Sequence, residues 1–131
     1  MQPQIIPIPK IEDPFGNYAV IEGNALPFAV KRVYYLYDIP GGAARGGHSH
    51  INQREFLIAA SGSFDVILKD GVNETTFTLN KPDKGLFIGT GMWRELNNFS
   101  SGAVCLVMSS DVFDESDYIR SYEEYLQTDK K

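Results

Sequence analysis

The stretch from Phe64 to Asn80, FDVILKDGVNETTFTLN, constrains the fold more than any other part of the chain. Two runs rich in β-branched and aromatic residues flank Asp70-Gly71, a pair suited to the tight turn of a hairpin. The rest of the chain repeats the theme. AVIEG (19–23), FAVKRVYYLYDI (28–39), EFLIAA (55–60), GLFIGTGMWRELNNF (85–99) and AVCLVMSS (103–110) read as further short strands, with Ser61-Gly62-Ser63 as a turn. In the second of these, alternation puts Val30, Arg32, Tyr34 and Leu36 on one face and Lys31, Val33, Tyr35 and Tyr37 on the other. Only DESDYIRSYEEYLQ (114–127) reads as helical. It brings Tyr118, Tyr122 and Tyr125 near one face, with Asp114 or Ser116 as its cap, and the same tail could instead hold a partner subunit. Many short strands at short spacing predict an all-β chain, an antiparallel sandwich or barrel with a short C-terminal helix.

The chain has 131 residues, which fits one domain over residues 1–131 with a core of its own. Its net charge of −5 argues against nucleic acid as a partner, and an anionic ligand would need cations gathered locally. No apolar run reaches the length that spans a bilayer, so no membrane partner is expected. The start, MQPQIIPIPK, lacks the basic end and apolar stretch of a signal peptide. Cys105 is alone, which excludes an intrachain disulfide and suits a reducing, cytoplasmic compartment; its apolar surroundings predict a buried structural thiol.

Both histidines fall in RGGHSH, Arg45 to His50. Imidazoles at i and i+2 of a strand point the same way, and glycines before them let the backbone turn. Three uses are open to such a pair. With Glu55 it forms a two-histidine, one-carboxylate set able to hold iron. Without a metal it can move protons, because each ring exists in either form near neutral pH. Or the rings simply hydrogen-bond within the loop. Glu55 does not share the parity of the histidines on one strand, so joining them calls for a bend or bulge.

The spacing from Gly42 to His48-Ser49-His50, Glu55 and Gly62 resembles the first signature of the cupin superfamily at every fixed position, which implies a double-stranded β-helix, or jelly roll. The second signature falls on Gly85 to Ser100, where Leu96 occupies the position expected to carry a third histidine ligand. VKRVYYLYDI, RGGHSH, GSFDVIL, MWREL with NFSSG, and FDESDYIR with YEEYL resemble, over nearly the whole chain, the dTDP-sugar 3,4-ketoisomerases, cupins that act on dTDP-4-keto-6-deoxy-D-glucose. The resemblance implies a carbonyl moved from C4 to C3 through an enediol, no metal or organic cofactor, and a homodimer with exchanged strands. It also implies a place in making 3-amino-3,6-dideoxyhexoses for surface glycans such as O-antigen lipopolysaccharide, with an aminotransferase acting next.

The isomerisation needs a base, an acid and donors for a developing oxyanion, and no redox equivalent. The resemblance gives acid–base work to His48 and His50, with Tyr37 as a third catalytic member. Arg32 and Arg45 are expected at the pyrophosphate, because an arginine fork matches phosphate oxygens. Tyr35 is a candidate for the thymine, and Trp93 is as well suited to core packing as to base stacking. Phe15 stands where some members carry arginine, and Arg94 where some carry histidine. An always-charged arginine binds and steers but does not donate a proton, which favours the gluco-configured product. The alternatives are a metal-dependent cupin oxygenase, a noncatalytic sugar-nucleotide-binding cupin, and a 3,5-epimerase on the same fold.

Overall fold

The computed structural model describes residues 2–129. In chain order the strands are β1 (Gln4–Pro7), β2 (Lys10–Ile11), β3 (Tyr18–Ala19), β4 (Arg32–Leu36), β5 (Arg45–His50), β6 (Glu55–Ser61), β7 (Phe64–Lys69), β8 (Glu74–Leu79), β9 (Lys84–Ile88), β10 (Trp93–Asn97), β11 (Val104–Ser109) and β12 (Tyr118–Ile119). A 3₁₀ turn (Glu115–Asp117) precedes β12, and helix α1 (Tyr122–Gln127) follows it. One sheet runs β1-β9-β6-β11-β4, the other β12-β5-β10-β7-β8, and β2-β3 form a small ribbon. Every pairing is antiparallel. This is the expected all-β jelly roll with a short C-terminal helix.

The expected hairpin is β7 and β8, in register from Phe64 opposite Leu79 to Lys69 opposite Glu74. Asp70 makes its turn, with Oδ1 accepting from the N–H groups of Val72 and Asn73. On β7 the burial alternates residue by residue, and Phe64, Val66 and Leu68 enter the core between the sheets. Leu57, Leu86, Ile88, Cys105 and Val107 meet them from the facing sheet. Cys105 is a free thiol in that core; burial foremost, and the nearby Glu55 charge, push its pKa up to about 12.

β6 is buried on both faces, because the N-terminal segment covers the outside of its sheet. Ile8, Leu26 and Phe28 pack there on Phe56, Ile58 and Phe87. That cover shortens two expected strands. Phe28 turns into this outer cluster, so the run from 28 to 39 contributes only Arg32–Leu36 to the sheet, and only Tyr18–Ala19 is strand around the 19–23 run.

The tail also departs from expectation. Asp114 caps a 3₁₀ turn through Ser116 N–H, Tyr118 pairs with His50 and Ile119 with Ser49, and the helix begins only after Ser121, whose side chain accepts from Glu124 N–H. Tyr118 is therefore a strand residue. Tyr125, fully buried, anchors α1: its hydroxyl donates to the Gly91 carbonyl at 2.7 Å and lies 3.1 Å from the Lys69 carbonyl, and its ring packs with Trp93 and Tyr122. Among the described residues no helix is long and apolar enough to cross a membrane.

Candidate active site

The two sheets part at one end around a cavity of about 250 Å³. β5 supplies His48 and Arg45, β4 supplies Arg32 and Tyr34, β6 supplies Glu55, β10 supplies Arg94, and the tail closes one side with Tyr118 and Arg120. Glu55 needs no bulge to meet the histidines. The chain leaves β5 at His50 and crosses to the other sheet before β6 begins, so Glu55 faces them from across the core. Register shifts fall elsewhere, on β10 against β5 between Arg94 and Glu95 and on β11 against β6 between Val104 and Cys105.

His48 and His50 lie edge to face, with ring centroids 4.8 Å apart at 84°. Their surroundings differ. His48 lines the cavity, and its Nε2 has no hydrogen-bond partner among the described residues. Burial first, then the Arg94 and His50 charges, lower its pKa to about 3, so the ring is neutral at physiological pH. His50 is fully buried behind it. Its Nδ1 lies 3.0 Å from Asp117 Oδ2, and its Nε2 lies 3.6 Å from Glu55 Oε2.

Glu55 is the hub. Its Oε1 accepts from Arg94 Nη1 at 2.7 Å, and its Oε2 accepts from the Tyr34 hydroxyl and the Ser109 hydroxyl, each at 3.1 Å. Burial alone would raise this carboxyl, but the His50 contact and the Arg94 charge outweigh it and hold Glu55 below the ordinary carboxylate range. Arg94 is itself 1% exposed and also donates to the Met92 carbonyl. Burial first, and the Glu55 charge, keep the Tyr34 phenol protonated far above its usual range.

The ligand atoms of His48, His50 and Glu55 lie within 4.8 Å of one another, close enough to suggest a metal. The set does not fit one. Both Glu55 oxygens are already satisfied, and the guanidinium on Oε1 is a fixed cation where a metal's charge would have to sit. A second cation there would be repelled in a low-dielectric interior.

Of the residues expected from sequence, His48, Arg32, Arg45 and Arg94 line the cavity, and His50 stands directly behind it. Arg32 donates to the Tyr118 hydroxyl at 3.1 Å and lies over the Tyr34 ring. Tyr35 on the outer face of β4 and Tyr37 just past its end pack with ring centroids 5.7 Å apart, tilted at 38°, about 60% exposed and outside the cavity. Phe15, 99% exposed, sits on the loop between β2 and β3. Trp93 is buried against the tail helix. Sequence reasoning missed Tyr34, Tyr118, Arg120 and Asp117. Strand parity with Arg32 marks Tyr34, whereas the residues of the tail become neighbours only through the β12–β5 pairing.

Comparison with known proteins agrees with this architecture. The FdtA family pattern, described as WxcM-like, C-terminal, matches residues 1–130. A TDP-4-oxo-6-deoxy-alpha-D-glucose-3,4-oxoisomerase from Aneurinibacillus thermoaerophilus is 41% identical over 126 residues, 95% of this chain and 91% of its own. The WlaRB TDP-quinovose 3,4-ketoisomerase of Campylobacter jejuni is 45% identical with a TM-score of 0.91, covering 96% of this chain and 98% of its own. QdtA, a sugar 3,4-ketoisomerase from Thermoanaerobacterium thermosaccharolyticum solved with TDP, is 40% identical with a TM-score of 0.93, covering 95% and 92%. With a cupin barrel, an imidazole in its mouth and these relatives across its length, the chain belongs to the FdtA family and, within it, to the TDP-sugar 3,4-ketoisomerases.

Proposed function

We propose that the chain converts TDP-4-keto-6-deoxy-D-glucose to its gluco-configured 3-keto isomer without a metal or organic cofactor. The observation that carries this reading is the partnerless Nε2 of a neutral His48 in a wall that also holds Arg32, Arg45 and Arg94. A neutral imidazole can accept the C3 proton that the C4 carbonyl acidifies. The enediolate that results is negative, and the arginines of the wall supply positive charge for it. The O3 hydroxyl proton passes to O4, and protonation at C4 completes the shift. Arg32, Arg45 and Arg120 give an acidic chain the local cations that a pyrophosphate requires.

Stereochemistry sharpens the test. In a gluco-configured ring the hydrogens at C3 and C4 point to opposite faces. A base on one face cannot return the proton it removed to give that product, so C4 is protonated from the other wall. Arg94 is held on Glu55 and permanently charged, and does not serve as that donor; the 45% identity to a TDP-quinovose enzyme supports the gluco outcome. Incubation with TDP-4-keto-6-deoxyglucose in deuterated water, read by NMR, is expected to give a 3-keto product with deuterium at C4 and gluco configuration. Inverted carbons with the carbonyl still at C4 would mean an epimerase, and tight binding without C3 exchange a noncatalytic binder.

The same reading includes a homodimer with exchanged strands in the cytoplasm, supplying a 3-keto sugar to an aminotransferase on the way to 3-amino-3,6-dideoxyhexoses of surface glycans. Support for the dimer comes from β4, an edge strand whose outer face leaves Val33, Tyr35 and Tyr37 more than half exposed.

A further inference from the structure

Asp117 has no place in the chemistry above, yet it is 5% exposed and touches a histidine of the site. Its carboxylate accepts from the Asn52 N–H at 2.7 Å and the Gln53 N–H at 3.1 Å, and His50 Nδ1 lies 3.0 Å from Oδ2. The tail fixes it there. Asp117 N–H donates to the Asp114 carbonyl, its own carbonyl accepts from Ile51 N–H, and the next two residues pair with His50 and Ser49.

Two backbone donors that cannot change role hold the carboxylate as an acceptor. Its third partner must then be a donor, so His50 carries hydrogen on Nδ1. The other nitrogen, Nε2, faces Glu55 with no closer partner. The ring so fixed is the one that His48 meets edge to face. We propose that Asp117 is a positioning residue for the isomerisation: it sets the tautomer and orientation of His50, which in turn holds His48 at its angle to the sugar. The proposal rests on the reading of His48 as the base.

The chain has only two histidines, so a protein labelled with ¹⁵N-histidine shows two ring systems, and His48→Asn tells which is which. Long-range ¹H–¹⁵N spectra of the unaltered protein are expected to place hydrogen on Nδ1 of His50. In Asp117→Asn, one acceptor oxygen becomes an amide facing a backbone donor. The expected results are a mixed His50 tautomer and a kcat lowered by about 10²-fold with KM little changed, the scale set by misplacing a reacting group. Asp117→Glu should restore part of both. An Nε2–H tautomer in the unaltered protein overturns the proposal without any variant, even if Asp117→Asn does not fold. So does a kcat lost with the tautomer unchanged, which would make Asp117 only a clip for the tail, or a kcat that stays whole. Unaltered protein that shows the Nδ1–H tautomer but no turnover overturns the isomerase reading and with it the catalytic role given to Asp117, while the Asp117–His50 pair itself stands.

Discussion

At the scale of single residues, two imidazoles separated by one serine have been given different environments. His48 lines the cavity and has a ring nitrogen without a partner among the described residues; His50 has a carboxylate oxygen near each nitrogen and does not line that cavity. Replacing His48 with Asn is therefore expected to lower kcat by about 10²–10⁴-fold, the usual worth of a positioned acid or base. Two tyrosines test the same logic. Tyr34→Phe removes a hydroxyl bonded to Glu55 in the cavity wall, whereas Tyr37→Phe alters a ring on the outer face. Steady-state kinetics should show the larger loss for Tyr34. Alternation along VKRVYYLYDI already puts Tyr34 with Arg32 and Tyr37 with Lys31, so parity alone carries the information that favours Tyr34. Asp117 could not be read this way. Its partner is 67 residues away, and local sequence gives it the appearance of a helix-forming acid.

At the scale of elements, strands were legible where both turn and pattern were local, and blurred where a distant segment intervened. The β7–β8 hairpin needs only its own residues. The run at 28–39 has good strand composition throughout, but the sheet's outer face needs covering and takes Phe28 for that purpose. The tail has helical spacing from 114 to 127, yet only six residues are helix. An isolated helix so short is unstable, so the β12–β5 pairing and the buried Tyr125 must hold it. β9 shows how tightly the strands fit. A Cβ on Gly85 would press on the Phe56 ring and come within 2.8 Å of the Leu57 carbonyl oxygen. Gly85→Ala is expected to destabilise by about 1–3 kcal/mol, as overpacking does, visible as a lower thermal midpoint. A midpoint unchanged would mean that β6 and β9 have slack there.

At the scale of the whole molecule, the buried groups confine stability to a window of pH. His48 ordinarily titrates at 6.5 but at about 3 in the fold. Between those values the unfolded chain binds a proton that the folded chain refuses, so stability falls as pH falls, by up to about 1.4 kcal/mol per pH unit. Below the ordinary 4.5 of a glutamate, the depressed Glu55 adds a second loss of the same sign. On the alkaline side the sign reverses. Cys105, raised from 9.0 to about 12, and Tyr34, raised above 10.0, keep protons that the unfolded chain releases, so stability falls again as pH rises past 9. Denaturant unfolding from pH 4.5 to 9 should thus trace a plateau between roughly 6.5 and 9 with a falling acid limb. The acid limb between 6.5 and about 5.5 belongs to His48, since Glu55 is almost wholly ionised in both states there. His48→Asn should flatten it even if the variant is less stable throughout. If the slope survives that substitution, the neutral imidazole at the barrel mouth is not what burial and Arg94 make it, and the base assigned to the isomerisation goes with it.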